Sequence, residues 1–242
     1  MADNTTTAAP TESNLLARVP GVIFSPRATY AGVAARPRAL GALAVVLALS
    51  IAGTFAFLST EVGQRAMLDQ QIRAMESFGV KMNDAAFERM EQSAGRARYF
   101  GAVGQLITLP LAALIVAGLA FAVFNAAMGG DATFKQVFAI VSHSGVVIVL
   151  SQMFGLPLAY VRENMSGATN LGIFAPFLDE NSFPARVLGS VDLFIIWWTV
   201  SLAIGLGVLY KKRTGPIATT LIVVYVAIGV IIAAVKSAVS GA

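Results

Sequence analysis

Two ionisable side chains stand in oily surroundings. Asp192 lies in Gly189-Ser190-Val191-Asp192-Leu193-Phe194-Ile195-Ile196-Trp197, and His143, the one histidine, lies in Val141-Ser142-His143-Ser144-Gly145. Such groups are expensive in a membrane-spanning segment. They read either as a proton or cation site or as polar nodes that hold helices together. Three carboxamides, Gln105, Asn125 and Gln152, occupy similarly apolar stretches. At a helical rise of about 1.5 Å per residue, His143 sits roughly 14 Å into its segment. By the same rise, Asp192 sits roughly 8 Å into its own segment from the opposite side. In a hydrocarbon core about 30 Å thick they then differ by roughly 8 Å in height, which is too far for a direct pair. Gln105 and Gln152 share the level of Asp192. The expectation is a hydrogen-bonded layer of Gln105, Gln152 and Asp192 that keeps three helices in register. The alternative is an Asp192 that titrates in a transport cycle. Toward the other side, Asn125 and His143 are expected to pair, with His143 a satisfied interior group rather than a ligand or relay.

Other chemistry is poorly supplied. The chain has no cysteine, which excludes disulfides, iron–sulfur clusters and thiol catalysis, and its single histidine excludes a multi-histidine zinc site. An intramembrane aspartyl protease needs two carboxylates in spans, and only Asp192 qualifies. There is no phosphate-binding glycine loop, HExxH or GxSxG pattern. No catalytic residue, metal or cofactor is expected.

The elements that position these residues follow from composition. Of 242 residues, 57% are hydrophobic and 12% charged, against about 25% charged in an ordinary soluble domain. Mean hydropathy is +0.74. Too few charges remain to cover a soluble surface, so the chain reads as an all-α integral membrane protein whose first partner is the lipid bilayer. The net charge of +4 comes from basic residues lying mostly between apolar segments. That pattern suits headgroups and orientation rather than nucleic acid.

About 20 apolar residues cross a bilayer as a helix. Five segments qualify, at about 40–58, 101–128, 134–160, 187–210 and 217–235, within a membrane domain of 39–236. Pro110 and Pro157 are expected to kink or end helices. Residues 1–14 read as a disordered tail without a secretory signal, which leaves the first span as an uncleaved anchor. Residues 15–38 read as an interfacial segment, with a short helix starting at Ser25-Pro26 and ending at Pro37. Residues 59–99 read as an extramembrane helical hairpin. Glu61, Arg65, Asp69 and Arg73 repeat at helical spacing. Gly79 breaks the run, Asn83 caps a second helix, and Met82 and Phe87 sit at staple positions. The hairpin is either a partner-binding surface or a packed cap.

Ala44, Ala48, Ala52 and Ala56, and then Gly118, Ala122 and Ala126, form ridges of small residues. Such ridges join helices within one chain by default, or between copies in a homo-oligomer. The short basic turn Lys211-Lys212-Arg213 and the four arginines before the first span favour a cytoplasmic N-terminus and an external C-terminus.

Three stretches resemble the Yip domain family, membrane proteins named for interaction with Ypt/Rab proteins, and in particular its bacterial branch. Val22-Ile23-Phe24-Ser25-Pro26-Arg27-Ala28-Thr29-Tyr30 is similar to the family's opening. Thr133-Phe134-Lys135-Gln136-Val137-Phe138 is similar to its middle element. Asp192-Leu193-Phe194-Ile195-Ile196-Trp197, followed by Gly205, resembles its DLFxxW signature. The three come in the family's order across about 15–236. The resemblance implies a five-span helical fold with a cytoplasmic N-terminus. For eukaryotic members it implies roles in vesicle trafficking and GTPase association. The third span departs from the family pattern, reading Ser142-His143-Ser144-Gly145 where relatives carry an aromatic and a proline. Composition and resemblance together point to a non-enzymatic membrane scaffold, adaptor or membrane-organising protein in a bacterial cytoplasmic membrane, with an unidentified membrane-protein partner. The alternative is a small transporter or channel built around Asp192.

Overall fold

A computed structural model describes residues 15–80, 83–165, 167, 169–179 and 182–240. The tail at 1–14 and the staple residue Met82 lie outside the described residues. Among the described residues the chain is all-helical, without a strand. α1 (Leu15–Phe24) and α2 (Pro26–Ala35) precede α3 (Ala39–Leu58). α4 (Glu61–Ser77) and α5 (Asp84–Ala94) lead to α6 (Ala97–Phe121), which runs on as a wider π turn over Ala122–Ala127. α7 (Phe134–Ser144) and α8 (Val146–Arg162) are followed by a 3-10 turn at Leu171–Phe174, then α9 (Phe183–Ser190), α10 (Leu193–Leu209) and α11 (Thr214–Ser240).

Four helical stretches are long and apolar enough to cross a membrane: Ala39–Leu58, Ala97–Ala127, Phe134–Arg162 and Thr214–Val239. The fourth segment read from the sequence, 187–210, is not one helix. It breaks at Val191 and Asp192 into α9 and α10, and α10 has 17 residues, or about 25 Å of rise. The cause is local. Asp192 is the N-cap of α10, its Oδ1 accepting from the backbone N–H groups of Phe194 (2.8 Å) and Ile195 (3.1 Å). A carboxylate in that position satisfies orphan amides at a helix start.

Neither proline ends its helix. α6 continues through Pro110 and α8 through Pro157. The break in the third span falls instead at Gly145, between α7 and α8. That span is the centre of the bundle, with 56% of its most apolar window buried, against 6% for α6 and 11% for α11. α6 and α11 therefore present most of their surface outward.

α2 packs against α10 and α7. Tyr30 and Val33, one turn apart, are fully buried beside Val137, Ile140, Leu202 and Leu206. Gly205 makes this approach feasible, since a Cβ there would stand 2.5 Å from Ile140 Cγ2 and 3.1 Å from Tyr30 Cδ1. Ser25 stands at the N-cap of α2 with Pro26 in the first turn, but its side chain makes no capping bond. α1, which falls in the first part of the 15–38 segment, buries Val22 and Arg18.

The ridges of small residues do not make the contacts expected within the chain. Ala44, Ala48, Ala52 and Ala56 are all exposed, as are Ala122 and Ala126. A Cβ on Gly118 would meet nothing within 4 Å. α3 instead turns Ala42, Val46 and Ser50 inward, and α6 turns Ala117 and Phe124 inward.

Thr60 caps α4 by accepting from Gly63 N at 3.0 Å, and Asn83 caps α5 by accepting from Ala86 N at 2.8 Å. α4 is tied down at its far end, where Arg73 donates to Asn164 Oδ1 at 3.0 Å and Lys236 stands 5.0 Å above the Phe78 ring. α5 has no buried residue among those described.

Candidate functional site

The break before α10 is the densest polar node. The carboxylate of Asp192 accepts two backbone amides on Oδ1, and on Oδ2 it accepts the Thr169 hydroxyl. The Asp192 amide donates to the Tyr225 phenol at 2.9 Å, and that phenol donates to Ser190 O at 2.8 Å. Two backbone bonds close the node, Leu171 N to Val191 O at 2.9 Å and Leu193 N to Thr169 O at 3.0 Å. Tyr225 lies eleven residues beyond Thr214 on α11, roughly 16 Å along that helix. A Cβ on the next turn, at Gly229, would stand 2.4 Å from Ser190 Oγ. The irregular backbone thus sits against the interior length of a spanning helix. There every N–H and C=O needs a partner, because hydrocarbon offers none.

The expected Gln105, Gln152 and Asp192 layer does not form. Gln105 Nε2 donates to Thr54 Oγ1 at 2.7 Å, which joins α6 to α3 instead. Gln152 and Asp192 do come together as walls of one cavity of about 220 Å³, along with Ser151, Thr169 and Asn170. Gln152 Oε1 itself is buried without a hydrogen-bond partner.

Asn125 and His143 do not pair either. Asn125 accepts from the Tyr210 hydroxyl at 2.5 Å and donates to Ala132 O at 2.6 Å. The Tyr210 ring stacks on Phe124 with centroids 4.7 Å apart. This node fastens the π end of α6 to the end of α10. His143 is fully buried, and its Nδ1 bonds Ala139 O at 2.7 Å. A carbonyl only accepts, so Nδ1 is the donor in this bond, and Nε2 has no hydrogen-bond partner. Around it lies a band of buried hydroxyls. Trp198 Nε1 donates to Ser144 Oγ at 3.0 Å, and Tyr30 and Ser201 share a 2.7 Å bond between α2 and α10. Burial pushes the Tyr30 phenol well above its usual pKa, only partly opposed by the Ser201 bond, so it stays neutral. Burial also lowers the pKa of Arg18, with Arg38 and Arg36 adding repulsion, and its Nη1 donates to Arg36 O at 3.4 Å.

The motif residues divide between anchoring and surface. Thr133 and Gln136 form a reciprocal capping box at the start of α7, and Gln136 Nε2 reaches Ala34 O on α2 at 3.0 Å. Phe134 is partly exposed and packs edge-on against Phe121 with centroids 5.9 Å apart. In the Asp192 motif, Leu193 and Trp197 remain partly exposed, while Phe194 lies between the Phe154 and Trp197 rings. Sequence reasoning missed Thr169, Tyr225, Ser201 and Tyr210. A single phenol inside the last apolar segment is the signal that could have found Tyr225. Among the described residues no group of three or more His, Asp or Glu could hold a metal ion.

Comparison with known proteins fits this architecture. No solved structure gives a significant match. Membrane protein YknW of Bacillus subtilis (strain 168) is 26% identical over 189 residues, covering 77% of this chain and 75% of that protein. The Yip1 domain matches residues 21–235, a stretch that begins just before Tyr30 and takes in the capping box, the Asp192 node and Tyr225. The chain therefore belongs to the Yip1 domain family and is a membrane protein.

Proposed function

We propose that this protein is a non-enzymatic scaffold or adaptor of the membrane. The observation that carries this reading is the use made of Asp192. Its carboxylate is occupied by three donors, two amides of α10 and the hydroxyl of Thr169 in the loop after α8, while its backbone amide is held by Tyr225 of α11. A charge so committed serves architecture better than a transport cycle, in which it would have to exchange partners. The Asn125 and Tyr210 node and the Tyr30 and Ser201 bond serve the same end.

In this reading the bundle crosses the membrane five times, with α10 the short crossing. The N-terminus is cytoplasmic and the C-terminus external. Charge supports that orientation. Arg27 donates to Thr214 Oγ1 at 3.4 Å, which joins the arginine-rich start of the chain to the end of the bundle that carries Lys211, Lys212 and Arg213. Arg27, Arg38, Lys135 and that turn are all exposed, as expected of a cytoplasmic face. α4 and α5 then form an external helical hairpin. With no residue of α5 buried, its face with Phe87 and Met90 is available to a membrane-protein partner.

Crosslinking from positions on α5 in native membranes, followed by identification of the captured chain, tests the adaptor role. A discrete partner is expected, and no discrete product counts against it. The cavity beside Asp192 favours the competing transporter reading. Reconstituted liposomes decide between them: solute or ion flux that disappears in Asp192→Asn would establish transport instead.

A further inference from the structure

Three arginines gather at the step between α2 and α3. Arg18 of α1 is 7% exposed, and its Nη1 donates to Arg36 O at 3.4 Å. Arg36 closes α2, and Arg38 stands at the N-cap of α3. Both are exposed, and both lie close enough to Arg18 to repel its charge. Burying a guanidinium costs solvation, and neighbours of the same sign add to that cost. Arg27, Lys135 and the Lys211-Lys212-Arg213 turn share this end of the bundle. Among the described residues the one carboxylate there is Asp131, near Tyr210. The end as a whole is therefore strongly positive, and the cluster holds its most buried charge.

The depth of the cluster follows from α3. That helix begins at Ala39, directly after Arg38, and is long and apolar enough to cross a membrane. A spanning helix starts where the hydrocarbon starts, so Arg36 and Arg38 stand among the headgroups. The bond to Arg36 O brings Arg18 to the same level. The anion abundant at that level is the lipid phosphate. Its oxygens point in several directions and a guanidinium can engage two at once, so arginines from α1 and from the α2–α3 step can share one phosphate. α3 also starts without a capping side chain, so its first backbone N–H groups add donors beside Arg38. Leu40, two residues on, is 77% exposed, and Ala44 and Ala48 are exposed at successive four-residue steps. Helical spacing makes these one smooth apolar row that starts beside Arg38, which suits an acyl chain and not a free ion. A zwitterionic headgroup would bring its own cation among three others. We infer that Arg18, Arg36 and Arg38 bind the phosphate of one anionic phospholipid from the leaflet in which α3 begins.

The inference stands apart from the scaffold reading, since its test needs lipid and no protein partner. The full-length protein, purified in detergent, is titrated with phosphatidylglycerol, with phosphatidylcholine of matched chains, and with inorganic phosphate. Bound lipid is counted by native mass spectrometry, and Tm is followed in parallel. One phosphatidylglycerol is expected to be retained in preference to phosphatidylcholine, with the larger rise in Tm. Inorganic phosphate should give no comparable rise. An equal rise with phosphate, lost in the arginine variants, would make this a free-anion site and overturn the assignment to lipid. Arg36→Gln combined with Arg38→Gln removes two exposed guanidiniums and keeps the buried Arg18. Phosphatidylglycerol retention should then fall about a hundredfold, at roughly tenfold for each hydrogen-bonded charge. Arg18→Gln alone should lower it about tenfold by the same reasoning. Lys135→Gln combined with Lys212→Gln removes the same net charge from the same end and should lower retention far less than the arginine pair. Equal retention of the two lipids by the unaltered protein, undiminished phosphatidylglycerol retention in either arginine variant, or equal losses in the two paired variants would overturn the assignment.

Discussion

Tyr225 and Asp192 meet through the backbone: the Asp192 amide donates to the Tyr225 phenol at 2.9 Å, and the phenol in turn donates a hydrogen bond to Ser190 O at 2.8 Å. One hydroxyl on α11 thus satisfies both sides of the break between α9 and α10. The break is otherwise a liability, because unpartnered backbone groups away from water are costly. Tyr225→Phe strips a partner from an N–H and from a C=O at once. Its expected cost is about 1–3 kcal/mol, read as a lowered Tm in detergent. An unchanged Tm would mean that water already serves these groups.

Asp192→Asn and Asp192→Leu should differ sharply. Asparagine is as good an N-cap as aspartate, so Asp192→Asn keeps an oxygen for Phe194 and Ile195 and should leave stability nearly unchanged. Leucine leaves both amides and the Thr169 hydroxyl without an acceptor, at a cost of at least about 1–2 kcal/mol. Thermal melting and expression yield of the pair provide the measure. Equal behaviour of the two variants would argue against capping as the role of Asp192.

What the sequence made legible follows its local physics. The shortage of charge identifies the membrane, and Asn83 begins a helix for the reason its side chain suggests, by accepting from an N–H group inside the first turn. The candidate site was half visible. Asp192 stands out as a rare carboxylate in an oily stretch, but its partners are not deducible from height alone. Height put Gln105, Gln152 and Asp192 on one level without fixing which faces meet. In the structure Gln105 faces α3 and finds Thr54, while Thr169 reaches Asp192 from a loop that no periodicity marks. The same limit misled the reading of the ridges of small residues. Four-residue spacing shows that Ala44, Ala48, Ala52 and Ala56 share a face, not that a neighbour covers it.

Gly205→Ala tests the packing of α2. The added methyl carbon would lie 2.5 Å from Ile140 Cγ2 and 3.1 Å from Tyr30 Cδ1. Overpacking of this kind costs about 1–3 kcal/mol. Gly118→Ala is the matched control, because nothing lies within 4 Å of its Cβ position. Alanine also favours helix, so the control should match or slightly exceed the parent in Tm. A loss in both would implicate backbone effects unrelated to α2.

Tyr30 should separate hydrogen bonding from packing. Tyr30→Phe loses only the 2.7 Å bond to Ser201, at about 1–2 kcal/mol. Tyr30→Ala also empties a fully buried aromatic site, at about 3–5 kcal/mol. Loosening of α2 should then bring faster tryptic cleavage at Arg27 and Arg38, which flank the buried face. Cleavage rates ordered parent, Tyr30→Phe, Tyr30→Ala are expected. Equal rates would mean that α2 is held by something other than Tyr30.

The bundle itself dictates the topology experiment. The contact of Lys236 with Phe78 puts the end of α11 beside the end of α4, and the bond of Arg27 to Thr214 puts the start of α2 beside the start of α11. The chain lacks cysteine, so single cysteines at Ser25, Thr214, Ser93 and the exposed Ala238 can be labelled without background. An impermeant thiol reagent applied to intact cells should reach Ser93→Cys and Ala238→Cys together and should spare Ser25→Cys and Thr214→Cys until the membrane is opened. That partition requires an odd number of crossings, and hence that α10, despite its 17 residues, carries the chain across. Labelling of Ser25→Cys and Ala238→Cys from the same side would remove α10 from the set of spans, and the orientation with it.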